Sequence, residues 1–147
     1  MPSFIDFDIR GDRQFDQLQA AFEALRNDKE AHRLDPEDSK WLRIFGEEAL
    51  RHFWWPTEQE LADYQQRNRR TPPEERLERE DLQVPWEFTS LLDAIRSGNY
   101  NLLRCTRNGT AGRLEYEVWS VPFGGTDSLE ELIRCFGHSV SIVSPPE

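Results

Sequence analysis

Hydrophobic and polar positions alternate with a period of two from Phe4 to Ile9. Ile5, Phe7 and Ile9 fall on one side and Phe4, Asp6 and Asp8 on the other, the signature of a half-buried strand. After Gly11-Asp12 the period lengthens. Phe15, Leu18, Phe22 and Leu25 recur at spacings of three, four and three, which predicts a helix from about Asp12 to Asn27. Asp35-Pro36 reads as an N-cap followed by proline in the first turn of a second helix. That helix carries Trp41, Ile44, Phe45, Ala49 and Phe53, widened by Leu42 and Leu50, until Trp54-Trp55-Pro56 ends it. Thr57 and Glu60 have capping-box spacing for a third helix bearing Leu61 and Tyr64. Residues 65–76 hold no hydrophobic side chain and include Pro72-Pro73. A solvated connection or projecting tip is expected there, then a short helix with Leu77 inward.

Helical periodicity resumes from Pro85 to Ser97, with Trp86, Thr89, Leu92 and Ile95, or Phe88, Leu91 and Leu92, supplying the face. Gly98 reads as a left-handed stop. Two strand-like runs, Tyr100–Arg107 and Gly112–Val121, flank Asn108-Gly109, a hairpin signal. Gly124-Gly125-Thr126 leads into a helix over about Asp127–Phe136, closed by Gly137, and Ser139–Val143 is the last strand.

Setting aside the helical block at about 28–98, the order is βαββαβ, the ferredoxin-like split βαβ arrangement. The expected fold class is therefore α+β, a single domain over 1–147 with a small antiparallel sheet, the first and third strands side by side at its centre. The alternative is a helical N-terminal half followed by a ββαβ unit. With Asn108–Ala111 as the hairpin loop, Leu103 faces Tyr116 and Cys105 faces Leu114 on the helix-covered side. Arg104 then faces Glu115, and Tyr100 faces Trp119, on the other side; opposed charges and paired aromatics are favoured cross-strand partners.

Composition supports a packed core and narrows the partners. Of 147 residues, 35 are Leu, Ile, Val or Phe, above the ~20% at which chains fail to fold. Asp and Glu outnumber Lys and Arg by 28 to 18, a formal charge of −10. That field has the wrong sign for phosphate backbones, so nucleic acid is not an expected partner; it suits a basic protein. No apolar run approaches the ~20 residues of a membrane span, and the start Met1-Pro-Ser-Phe-Ile-Asp has neither a basic region nor an apolar signal core, so a cytoplasmic location is expected. Cys105 and Cys135 have no metal-ligand spacing and read as small buried hydrophobes.

Parity singles out one candidate cluster. Asp6 and Asp8 point away from Ile5 and Phe7, and Glu115 and Glu117 point away from Leu114 and Tyr116. With the first and third strands adjacent, the four carboxylates share a sheet face with Arg104, a donor set suited to Mg²⁺ or Mn²⁺. Over these few residues Phe4-Ile5-Asp6-Phe7-Asp8 resembles the first metal strand of polymerase-palm and nucleotide-cyclase domains. Those families also place acidic residues at or near the hairpin turn, whereas this turn is Arg107-Asn-Gly-Thr-Ala-Gly. The plainer reading is the solvated face of an antiparallel sheet, which alternates in the same way.

Other signals are local. Gly124-Gly125-Thr126 before a helix could meet an anion, but Asp127, Glu130 and Glu131 load that helix start with negative charge. His32, His52 and His138 show no ligand spacing, and His138 follows Cys135 by three. Neighbouring Trp54 and Trp55 sit about 100° apart on a helix; the plainer reading is that both seal the junction between the second and third helices, the other that one stays partly exposed as a binding anchor.

The leading expectation is a non-catalytic protein-binding or regulatory module with no cofactor, an inhibitor or immunity-type protein being one special case, with Arg104, Trp119 and Trp55 as candidate contacts. The alternative is a divalent-metal enzyme acting on phosphorylated or nucleotide substrates through Asp6, Asp8, Glu115 and Glu117.

Overall fold

The computed structural model describes residues 2–31, 38–79, 86–120 and 125–144. The cap expected at Asp35-Pro36, the start at Pro85, His32, Gly124 and the side chain of Leu77 lie outside them. The chain runs β1 (Ser3–Asp8), α1 (Asp12–Glu30), α2 (Asp38–Leu50), α3 (Glu58–Arg70), a 3-10 helix (Pro73–Glu78), α4 (Phe88–Ser97), β2 (Tyr100–Asn108), β3 (Ala111–Val118), α5 (Asp127–Cys135) and β4 (Ser139–Val143). The four strands form one sheet in the order β2-β3-β1-β4, with every neighbouring pair antiparallel. This is the split βαβ order, with β1 and β3 at the centre. Among the described residues no helix is long and apolar enough to cross a membrane.

Alternation builds the core. Ile5 and Phe7 of β1, Leu114 and Tyr116 of β3 and Cys105 of β2 turn to one face and are buried beneath Phe15, Leu18, Phe22 and Leu25 of α1 and Leu129, Leu132 and Ile133 of α5. Gly112 opposes Phe7 in the ladder, and a Cβ there would run into the Phe7 ring.

The described residues of the helical insertion pack on the helices rather than on the sheet. Helix α2 packs on α1, and α4 packs on α1 and α5. Trp41, Phe45, Ala49, Phe53, Phe88 and Leu91 thereby extend the same buried cluster outward. Lys29 ties the ends of α1 and α4 together, donating to the carbonyls of Ile95 (2.7 Å), Arg96 (3.3 Å) and Gly98 (2.9 Å). Burial pulls its pKa down to about 8, while the three acceptors favour the charged form.

Helix α3 buries no residue, as its polar sequence implies. The Thr57–Glu60 capping box forms at its start, and Arg67, Arg69 and Arg70 oppose the dipole at its end. Arg76 of the 3-10 helix folds back to donate to the carbonyls of Asn68 and Thr71, 3.0 and 3.1 Å. The helix therefore continues into the stretch expected to be a connection.

Three expectations are corrected. The second helix is broken at Gly46, whose φ of 82° and ψ of 161° lie outside the helical region, and it ends at Leu50 rather than at the Trp pair. Gly98 is extended, with φ −62°, so it is no left-handed stop; a Cβ there would strike the Tyr100 ring. The hairpin register holds from Arg104↔Glu115 to Asn108↔Ala111, around a Gly109-Thr110 turn with φ 65° at Gly109. It shifts between Leu102 and Arg104. The extra residue, Leu103, reverses parity before it. Leu102, not Leu103, therefore faces Tyr116, and Tyr100 pairs with Val118 and is buried, not set against Trp119.

Candidate functional site

Among the described residues the second face of the sheet is open, because the insertion stacks on the helices. In the antiparallel β1–β3 ladder Asp6 falls opposite Arg113, Phe4 opposite Glu115 and Asp8 opposite Ala111. Arg113 grips Asp6 with two hydrogen bonds, Nε to Oδ1 at 2.7 Å and Nη2 to Oδ2 at 3.0 Å. The same guanidinium lies 4.0 Å from the centre of the Phe4 ring, a cation–π contact. Hydrogen bonding to Asp6 raises the pKa of Arg113 above its ordinary value. One position along, Arg104 pairs with Glu115 at 3.4 Å. Charges thus alternate across three strands, Asp6, Arg113, Glu115, Arg104, each cation beside a carboxylate.

That register decides what the acidic residues can do. Glu117 lies four positions along β3 from Arg113, the partner of Asp6, and six from Ala111, the partner of Asp8. At ~3.4 Å per residue these offsets are about 14 and 20 Å along the strand. Asp6 and Glu115 are diagonal neighbours, with Arg113 between them. The quartet Asp6, Asp8, Glu115 and Glu117 is therefore on one face but not gathered. Among the described residues no group of three His, Cys, Asp or Glu side chains is close enough to hold a metal. Asp8 and Glu117 have no ion pair among the described residues and stand at opposite ends of the ladder. A depression of about 390 Å³ opens at the hairpin end, lined by Asp6, Asp8, Thr106, Ala111, Arg113 and Ser141 among others.

Arg113 is the residue that sequence reading missed. It shares the parity of Glu115 in β3, and closing β1 antiparallel on that strand sets it opposite Asp6. The signal was present, but only once the relative offset of the two strands was fixed.

The aromatic candidates separate. Trp119 follows β3 at the parity of Glu117, with its backbone N–H on the Asn99 carbonyl at 3.1 Å, and is 60% exposed. Trp55, 53% exposed, belongs to the insertion. Its indole N–H donates to the Leu50 carbonyl at 2.9 Å and its ring tilts onto Phe88. It lines a shallow cleft of about 250 Å³ with Pro56 and Leu61, so it does not join Arg104 and Trp119. Trp54 lines the same cleft and lies edge-on to Tyr64.

Cys135 and His138 do not form a reactive pair. The Cys135 thiol donates to the Leu132 carbonyl at 3.1 Å, and burial pushes its pKa well above the ordinary value. Cys105 is likewise buried, its pKa pushed up to about 12, and both are free thiols. The His138 Nδ1 accepts the Arg10 backbone N–H at 3.1 Å. Beside Gly125, the Thr126 hydroxyl donates to Glu130 Oε2 at 2.8 Å, so a carboxylate occupies the start of α5. No family model matches the chain, and no curated protein or solved structure matches it either.

Proposed function

We propose that the protein is a binding module that recognises a basic protein partner through the open face of its sheet. One observation carries the reading: the insertion packs on α1 and α5 and leaves a face of paired charges, with Trp119 exposed at one end. An alternating ladder of ion pairs favours one orientation of a complementary surface over others. Asp8 and Glu117, which have no ion pair among the described residues, leave this face an excess of negative charge, in keeping with the −10 of the chain. Trp119 supplies the large apolar contact that binding hot spots favour. An inhibitor of a basic enzyme is the special case that fits this charge balance.

Affinity capture from host cells at graded salt tests the proposal. A partner should be retained by the wild-type chain, released as salt rises, and lost with Glu117→Lys or Trp119→Ala variants that melt like the wild type. A chain that emerges alone at every salt concentration contradicts it. Melting with millimolar Mg²⁺ or Mn²⁺ checks the metal-enzyme alternative. A native metal site raises the midpoint by linkage, whereas the binding-module reading expects no shift, in the wild type or in Asp8→Asn.

A further inference from the structure

The sheet has two edges, and they are finished differently. At the β2 edge, α1 reaches over the strand. Gln19 Nε2 donates to the Cys105 carbonyl at 3.0 Å, and Arg26 Nη1 donates to the Leu103 carbonyl at 3.0 Å. Two outward-facing acceptors of β2 are thereby occupied by side chains, and Arg104 and Arg107 add charge to the strand. Charged side chains and covering groups are how natural sheets stop further strands from adding.

The β4 edge is less guarded: a charged side chain reaches it at its first residue, where Arg10 Nε and Nη2 donate to the Ser139 hydroxyl at 3.3 and 3.2 Å, and Ser141–Val143 carry no such cover. Among the described residues nothing pairs with its outer side. Its inner side is held firmly: β1 supplies the ladder, and beyond it the Ser144 N–H donates to the Phe4 carbonyl at 2.9 Å while the Ser144 hydroxyl accepts the Phe4 N–H at 2.7 Å. Ser141, Ile142 and Val143 are exposed, Ile142 to 56%. The strand Ser-Val-Ser-Ile-Val contains no charge and no proline. It lies in the longest stretch of the chain without Asp, Glu, Lys or Arg, from Cys135 to Pro146. Both outer strands carry one register shift, so a bulge does not distinguish them.

We propose that the β4 edge pairs with the β4 edge of a second copy of this chain, antiparallel about a two-fold axis, joining the two four-stranded sheets into one of eight strands. Charge selects this occupant. A strand from a basic partner would meet no carboxylate within β4, whereas a neutral strand fits, and a second copy supplies one of matching length. Isologous pairing satisfies both edges at once. The pairing leaves both open faces free and sets them side by side, independently of the reading proposed above.

The two chains repel through their net charge of −10 each, and salt screens that repulsion. This gives the contact a sign opposite to that of binding a basic partner. Sedimentation equilibrium of the isolated chain over a wide concentration range should show a monomer–dimer equilibrium that tightens as salt rises. Ile142→Lys places an ammonium on the exposed edge, opposite Asp6 in the ladder, and should leave a monomer whose melting midpoint equals that of the wild type at concentrations too low for dimer, without the rise that the dimer gives the wild type at higher concentration. Amide exchange of the wild-type chain gives a second readout: β4 protection should increase at dimer-forming concentrations, with no such change in β2. A chain that stays monomeric at every concentration and salt overturns the proposal. So does a dimer that salt weakens, or one that survives Ile142→Lys while β4 exchange stays concentration-independent.

Discussion

The two faces of the sheet are made by the same strands and obey opposite rules. On the covered face, Ile5, Phe7, Leu114 and Tyr116 are buried without a single charged neighbour in the ladder, and glycine is required where Phe7 crosses Gly112. On the open face the alternate positions carry Asp6, Arg113, Glu115 and Arg104, joined by ion pairs in water. The covered face derives its stability from close packing, where each missing methylene leaves a cavity. The open face contributes little, since exposed ion pairs trade solvation and side-chain entropy against a screened attraction. A surface that contributes little to the fold is free to be specified by what it meets.

Substitutions on the two faces measure that contrast. Leu114→Ala, on the covered face, should cost about 2–5 kcal/mol in denaturant unfolding; a loss no larger than that of an exposed residue would erase the distinction. Gly112→Ala should follow at about 1–3 kcal/mol, because the new methyl group must displace the Phe7 ring. A neutral outcome would mean that the ring is not held as described.

A smaller, pH-dependent effect belongs to His138, 3% exposed beneath the start of α1. Burial lowers its pKa below the ordinary value of 6.5, with Arg107 adding to the shift. The folded state therefore binds fewer protons than the unfolded chain as pH falls past that value. The stability advantage of the wild type over His138→Gln should be constant above about pH 6.5 and shrink below it. A difference that is flat through pH 5 would show that the ring titrates normally. The smallest effect is expected from Asp6→Asn on the open face. It removes the carboxylate charge from the Arg113 pair yet should move the unfolding midpoint less than either covered-face change, and a larger shift would make the ladder structural.

Much of this contrast was legible in the sequence. The period-two stretch at Phe4–Ile9 and the alternation through Leu114 and Tyr116 assign the residues of β1 and β3 to their faces, and the βαββαβ order with its Asn108-Gly109 turn sets the two strands side by side. What parity cannot supply is offset along the strand. Asp6 and Asp8 share a side with Glu115 and Glu117, which by parity alone brings all four together, whereas the register interposes Arg113 and spreads them apart. The bulge at Leu103 was equally hidden: Tyr100-Asn-Leu-Leu gives no local cue to which leucine is the extra one, and only packing against Tyr116 selects Leu102. The break at Gly46 falls inside an unbroken apolar stripe, so periodicity alone carries the helix straight through it. The edge contrast depends on Gln19 and Arg26 reaching β2 carbonyls, contacts between residues more than seventy positions apart.

The proposed recognition surface is the open face of the sheet. Side-chain oxidative footprinting of the chain, free and bound to its captured partner, reports on that face. Trp119 and Phe4 should become protected on binding while Trp55, out on the helical insertion, reacts as it does in the free protein. Protection of Trp55 with Trp119 unchanged would contradict that proposal, and would move the interface from the sheet to the insertion.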